Sequence, residues 1–326
     1  MMTKPIHIYI VWYGSWAVNE KGVIKTALSS LTPTVTIDQF PNLSNLWKMM
    51  MMNYYQQPTA NQTRQYVGNN VTVAKEVDVD GVTTNKTINA GSDPFSIIVT
   101  QINAGNLPVD LEQGVYFVLT ASDITYSDTS TGYCGYHSSV CVQVGSSPAN
   151  CSSTLNNLIY SFVPTPASPL FQGCNLFNAA LPGTPPNHAV SASGALDTAI
   201  NVVMHELLEL VADPYPASMP AWFDDTAENS EIADLCAYNF VADEWWYCGL
   251  PDLYPDFNSS SADCAALSSA PTSVGDPPRS LTDPTTGVIF NQYGVNGSQF
   301  MVQKIWSLAN KGCVLQPEGA FRAHNY

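Results

Sequence analysis

The segment from Ala195 to Pro214 constrains this chain more than any other. Ala195 to Val203 is built of good helix formers, and Pro214 ends the run because it cannot continue the backbone hydrogen bonding. Val202, Val203, Leu207, Leu208, Leu210 and Val211 predict a helix that is buried in part. Such a helix should not carry His205, Glu206 and Glu209, which are costly inside a protein unless bound to something. At 3.6 residues per turn, His205 and Glu209 share one face, and Glu206 lies about 100° round from His205. This is the geometry of H-E-x-x-H metallohydrolases with the second histidine exchanged for a carboxylate. Zinc takes imidazole nitrogen or carboxylate oxygen in a tetrahedral site, so the exchange keeps a metal centre chemically feasible.

A third ligand lies downstream, in Ser230-Glu231-Ile232-Ala233-Asp234-Leu235-Cys236. In one class of zinc peptidases a glutamate roughly twenty residues beyond the second ligand completes the site, with an aspartate close behind. Glu231 follows Glu209 by 22 positions. The expected ligands are therefore His205, Glu209 and Glu231, with Glu206 as the base that takes a proton from water. Asp234 is the alternative third ligand, or a carboxylate that supports the ligands from behind. The bland counter-reading is a chance match, since glutamates are common on solvated helix faces. Two carboxylate ligands would also weaken the Lewis acidity of zinc, which favours slow chemistry or a structural role.

Composition narrows the partners. Against 27 Asp and Glu stand 11 Lys and Arg, a net charge of −16, which repels nucleic acid and anionic membranes. No stretch is long and apolar enough for a membrane span. The eight cysteines (Cys134, Cys141, Cys151, Cys174, Cys236, Cys248, Cys264, Cys313) contain no C-x-x-C pair and read as up to four disulfides in an oxidising compartment. Cys134 with Cys141 and Cys236 with Cys248 are the local pairings to expect. Glycosylation acceptors stand at Asn42, Asn61, Asn70, Asn85, Asn150, Asn258 and Asn296. Met1 to Pro5 leads straight into a strand-like run, which reads as a mature form without a signal peptide. An extracellular, secreted protein is the address these features favour.

Along the chain, strands are expected at Ile6–Tyr13, Val35–Phe40, Val71–Val79, Val115–Thr120 and Leu158–Val163, and helices at Asn19–Leu31, Leu43–Gln57 and Asp93–Ala104. The methionine run Met49–Met52 reads as core filler. Tyr133–His137 and Val140–Val144 suggest a short hairpin, and Asn296-Gly297 marks a second one near the end. Together these give a mixed α/β fold: a zincin-like mixed sheet with helices, plus a loop-rich, disulfide-stapled C-terminal part. The expected division is 1–214, ending in the metal-site helix, and 215–326, completing the site; a single domain is the other arrangement. His137, between expected bridged cysteines, is either structural or a group that meets substrate or supports the metal. His7 and His188 read as structural, His324 lies in the tail, and Asp213 ranks behind the other carboxylates as a ligand. Asp224, Asp225 and Glu228 form an acidic cluster that could take Ca2+ but lacks the spacing of a calcium loop.

Several elements resemble the EXORDIUM / phosphate-induced protein 1 family. They are Val11-Trp12-Tyr13-Gly14, Val118-Leu119-Thr120-Ala121-Ser122-Asp123, Cys134-Gly135-Tyr136-His137, Asp213-Pro214, Trp222, Glu231–Cys236, Phe290–Gly297 and Cys313. The resemblance implies a secreted, cell-wall-associated protein linked to extracellular growth responses, and it implies no particular reaction. Two functions are carried forward. One is a secreted zinc-dependent hydrolase, most plausibly a peptidase acting on extracellular peptides. The other is a non-catalytic matrix or cell-wall glycoprotein that contacts glycans or itself and keeps a structural or vestigial metal site.

Overall fold

Alternation along the first strand decides the architecture. Ile8, Ile10 and Trp12 enter one apolar cluster, whereas Tyr9, Val11 and Tyr13 enter a second, as the two-residue period of a strand requires. A strand apolar on both faces needs cover on both, so helices must lie on either side of the sheet. The computed structural model shows this arrangement. It describes residues 1–34, 37, 42–57, 59–80, 86–127, 133–142, 157–165, 171, 174–175, 186–187, 195–217, 220–224, 230–237, 290–307 and 312–315. The main elements, in chain order, are β1 (Ile6–Tyr13), α1 (Val18–Ser30), α2 (Leu43–Asn53), β2 (Val71–Val79), α3 (Asp93–Asn103), β3 (Gly114–Thr120), β4 (Tyr136–Cys141), β5 (Asn157–Val163) and α4 (Ala195–Ala212).

The sheet runs in the order β2-β1-β3-β5-β4. Its first four strands are parallel, and β4 closes the edge antiparallel to β5. β3 is buried at every position, as its unbroken apolar sequence predicts. One cluster joins the sheet to α1, α2 and α4 through residues such as Ile24, Leu28, Trp47 and Leu207. The other joins the opposite face to α3 through Ile98. Met49 and Met50 fill the first core as expected, while Met52 is exposed. Gly14 ends β1 at φ 97, and a Cβ there would stand 2.7 Å from Asp123 Oδ1. Only glycine fits this backbone and this space, and the fit lets the Ser15 amide and hydroxyl donate to Asp123.

Three expectations need correction or refinement. The hairpin expected within Tyr133–Val144 does not form: Tyr136–Cys141 is one strand, and its partner is Asn157–Val163. Sequence proximity favours a short turn, but β5 offers a long apolar strand whose free edge must be paired. The local cysteine pairings also fail. Cys134 bonds Cys174 and Cys236 bonds Cys313, because the fold brings distant segments together where spacing alone could not show it; Cys141 is disulfide-bonded too. Near the end, the turn expected at Asn296-Gly297 is present, with φ 58 and 72 at the two residues, and it joins Gln292–Tyr293 to Gln299–Phe300. A second small pair, Ile305–Ser307 with Gly312–Val314, follows.

The first apolar cluster spans positions on both sides of residue 214, from Met2 to Leu315. Gln303 ties the two parts further: its amide donates to Asn201 Oδ1 on α4, and its side chain donates to the Ala233 carbonyl. The strand expected over 35–40 lies almost wholly outside the described residues. So do Cys151, Cys248, Cys264, His188, His324, Asp225, Glu228, Trp245, Trp246, Asn85, Asn150 and Asn258. Of the other glycosylation candidates, Asn61 and Asn296 are exposed, Asn70 is half-buried, and Asn42 is buried and accepts a bond from Ser44 Oγ.

Candidate metal centre

α4 is buried at every residue except His205. Its one opening therefore coincides with one of its three costly side chains. The helix packs against β5 and β4, and between its middle, the start of β4 and the turn at 231–237 lies a cavity of about 420 Å³. His137, His205, Glu206, Glu209, Glu231 and Asp234 all line it. Glu206 and Glu209 are each 3% exposed. Among the described residues the lining contains no lysine or arginine, so the two imidazoles are the titratable cations these residues bring to it.

On the helix side, His205 Nε2 stands 3.1 Å from Glu209 Oε2 and 3.3 Å from Asp234 Oδ1. On the strand side, His137 Nδ1 stands 3.4 Å from Glu206 Oε2, and its Nε2 stands 3.4 Å from Glu231 Oε1. The same Nε2 lies 3.1 Å from the Asp213 carbonyl oxygen. The structure thus brings all six predicted polar residues together but divides them differently from the sequence expectation. Among the described residues, the carboxylates paired with His205 are Glu209 and Asp234, while Glu231 pairs with His137. Local geometry explains the division. Ser230–Glu231 forms a short strand pair with Phe223–Asp224, and Asp234 begins a 3₁₀ turn that ends at the disulfide-bonded Cys236.

Glu209 is held from behind. Its Oε1 accepts from the backbone amides of Ala233 and Asp234 at 3.1 and 3.0 Å, which leaves Oε2 aimed at the cavity. The importance of Gly135 was not legible in the sequence beyond its place between Cys134 and His137. A Cβ at that position would lie 2.6 Å from Val202 Cγ1 and 2.8 Å from Glu206 Oε1, so glycine is what allows β4 to start against the helix. Gly135→Ala is expected to push the strand off α4, to separate His137 from Glu206, and to destabilise by roughly 1–3 kcal/mol as an overpacked core does. Thermal melting of the variant beside wild type checks this, and an unchanged melting temperature would count against the contact.

Electrostatics follow from the imbalance of charges. Burial pulls His137 down, but Glu206 and Glu231 together hold it well above its ordinary pKa. Burial likewise opposes charge on His205, and Glu209 and Asp234 outweigh it in the same upward direction. Glu206 is pushed up by burial, only partly relieved by His137. The Asp234 carboxyl is held below its usual value by its bond from His205. The site has more carboxylates than cations to satisfy them, and that condition suits a bound metal ion.

The fold and cavity define a disulfide-stapled α/β protein that sets a histidine–carboxylate cluster beneath the edge of its sheet, with His137, Glu206 and Glu209 buried. The chain belongs to the phosphate-induced protein 1 family: the family model described as "Phosphate-induced protein 1 conserved region" matches residues 1–252. It is 25% identical to the EXORDIUM-like 5 protein of Arabidopsis thaliana over 330 residues, covering 96% of this chain and 74% of that one. It is 26% identical to EXORDIUM-like 3 of the same plant, over 72% of this chain and 66% of the relative. It is also 22% identical to the PHOSPHATE-INDUCED 1 protein of Nicotiana tabacum, over 96% and 85%. No solved structure matches the chain. Among the described residues, no helix is long and apolar enough to cross a membrane.

Proposed function

We propose that this is an extracellular member of the family whose cavity binds zinc and supports slow hydrolysis of peptides. The observation that carries the reading is the set His205, Glu209 and Asp234, whose donor atoms lie within 4.8 Å of one another. Tetrahedral zinc with ligands at about 2.0–2.2 Å sets its donors roughly 3.3–3.6 Å apart, close to the 3.1 and 3.3 Å found here. In this reading Asp234 replaces Glu231 as the third ligand, and Glu231 orients His137. Zinc would supply a Lewis acid that polarises a carbonyl and lowers the pKa of water. Glu206, whose pKa is pushed up by burial, is placed to accept a proton from water and return it to a leaving amine. His137, opposite Glu206, is placed to hold that carboxylate in position. The helix beneath an antiparallel edge strand gives a zincin-like arrangement by analogy. The disulfides support the extracellular address.

Glu206→Gln is expected to leave zinc bound by His205, Glu209 and Asp234 while turnover of a peptide library falls at least 100-fold. His205→Ala should lose the zinc of this group and turnover together. Turnover that survives Glu206→Gln would sink the assignment of the base.

A specific surface favours the second reading, that of a glycan-contacting wall protein. Tyr55 meets Tyr66 and Trp222 at ring separations of 5.6 and 5.8 Å, and Arg64 lies 4.3 Å over Tyr55. Tyr66 is 40% exposed, and flat aromatic rings with a polar neighbour are suited to sugar faces. Retained binding to wall polysaccharide in a zinc-free Glu209→Ala variant would favour it over the hydrolase.

A further inference from the structure

We propose that the cavity holds two divalent cations rather than one, bridged by Glu209, with Glu206 a ligand of the second. The proposal rests on the metal-centre reading above and reassigns Glu206 within it.

Two donor groups share one atom. Glu209 Oε2 lies 3.1 Å from His205 Nε2 and 3.9 Å from His137 Nδ1. With Asp234 it completes the first group, and with Glu206 the second. Bridging through this one oxygen is what the backbone permits, because the amides of Ala233 and Asp234 occupy Oε1.

The second group carries the marks of a ligand set in its own right. A metal-ligating histidine usually donates its other ring N–H to a carbonyl or carboxylate, which fixes the tautomer and the ring plane. His137 meets that requirement: its Nδ1 faces Glu206 and Glu209, while its Nε2 faces the Asp213 carbonyl and Glu231. Glu206 lies deep in the lining, and the ion pair with His137 is its nearest cationic contact among the described residues. Glu231 Oε1 is buried and has no hydrogen-bond partner, at ion-pair distance from His137. A cation on Nδ1 would draw the Nε2 proton toward both oxygens.

Charge balance points the same way. Glu206, Glu209, Glu231 and Asp234 bring four carboxylates to a cavity whose lining, among the described residues, holds no lysine or arginine. One divalent cation compensates two of these charges, and among the remainder Glu206 is the deeply buried one, 3% exposed, where a charge left uncompensated is costly. Two divalent cations neutralise the set. Pairs of cations joined by a carboxylate are an established arrangement in hydrolytic sites.

The test uses the full chain and zinc alone, with bound metal counted by elemental analysis after equilibrium dialysis. Two zinc ions per chain are expected in wild type, one in His137→Ala and one in His205→Ala. Glu206→Gln, close in size and shape to the native residue, guards against misfolding and should also hold one. A wild-type count of one overturns the bridged pair while leaving the single centre standing. A count of two that Glu206→Gln and His137→Ala do not lower places the second ion elsewhere and overturns the proposal. A count of zero overturns this proposal and the zinc reading together.

Discussion

Replacing Glu209 with alanine is expected to abolish zinc binding and to lower stability at the same time. Its two oxygens do different work, and the loss of each has a separate cost. Oε2 is the atom that both histidines approach, so no cation group survives without it. Oε1 satisfies the amides of Ala233 and Asp234, and Ala233 is fully buried. A buried amide left without an acceptor costs about 1–3 kcal/mol. Removing one carboxylate from a crowd of four offsets part of this by relieving repulsion. The net expectation for metal-free protein is a loss of roughly 1–3 kcal/mol, or several degrees in melting temperature. Glu209→Gln separates the two effects. Its carbonyl oxygen can still accept from the backbone pair, so most of the stability should return, whereas zinc should not. Melting curves and zinc titrations of both variants check this. If Glu209→Gln is as unstable as Glu209→Ala, Glu209 Oε1 is not the latch described here.

Breaking Cys236–Cys313 should have the largest effect on stability of any change outside the core. The bond spans 77 positions, and in the chain-entropy model a closed loop of that length is worth about 4.5 kcal/mol. Engineered and natural disulfides commonly deliver less than this model gives, so a loss of roughly 3–4 kcal/mol is expected for the Cys236→Ser, Cys313→Ser double variant. Position matters as much as length. Cys236 ends the turn that begins at Asp234, and that turn is also held by the Trp306 amide donating to the Ile232 carbonyl. Freeing it should let Asp234 drift from His205, so zinc affinity should fall at least tenfold even where the fold survives. Melting of oxidised wild type beside the double variant, with a zinc titration at low temperature, tests both statements. A variant that melts within 2 °C of wild type would show that noncovalent contacts alone hold the turn.

The cluster shows where sequence reasoning succeeds and where it stops. His205, Glu206 and Glu209 were legible because helical periodicity fixes neighbours within one turn, whatever the rest of the chain does. Ile6–Tyr13 and Val115–Thr120 were legible for a similar reason, since alternation or continuous apolarity reports burial directly. Glu231 and Asp234 were both visible as candidates, yet spacing could not say which of them would face His205. That choice depends on a short strand pair and a 3₁₀ turn fixed by Cys313, 77 positions beyond Cys236.

His137 is the sharper case. Its neighbours in sequence suggested a hairpin, and a structural role suited a histidine between cysteines. Strand β4 instead pairs with β5 at the edge of the sheet, and the space left by Gly135 lays it against α4. The sequence by itself determined the helix, its costly polar face, the strands and the surplus of acid. Tertiary structure alone decided the cysteine partners, the division of carboxylates between the two histidines, and the entry of His137 into the cavity. The physical reason is one of range: backbone periodicity acts over a few residues, whereas strand pairing, cross-links and close packing join residues tens of positions apart.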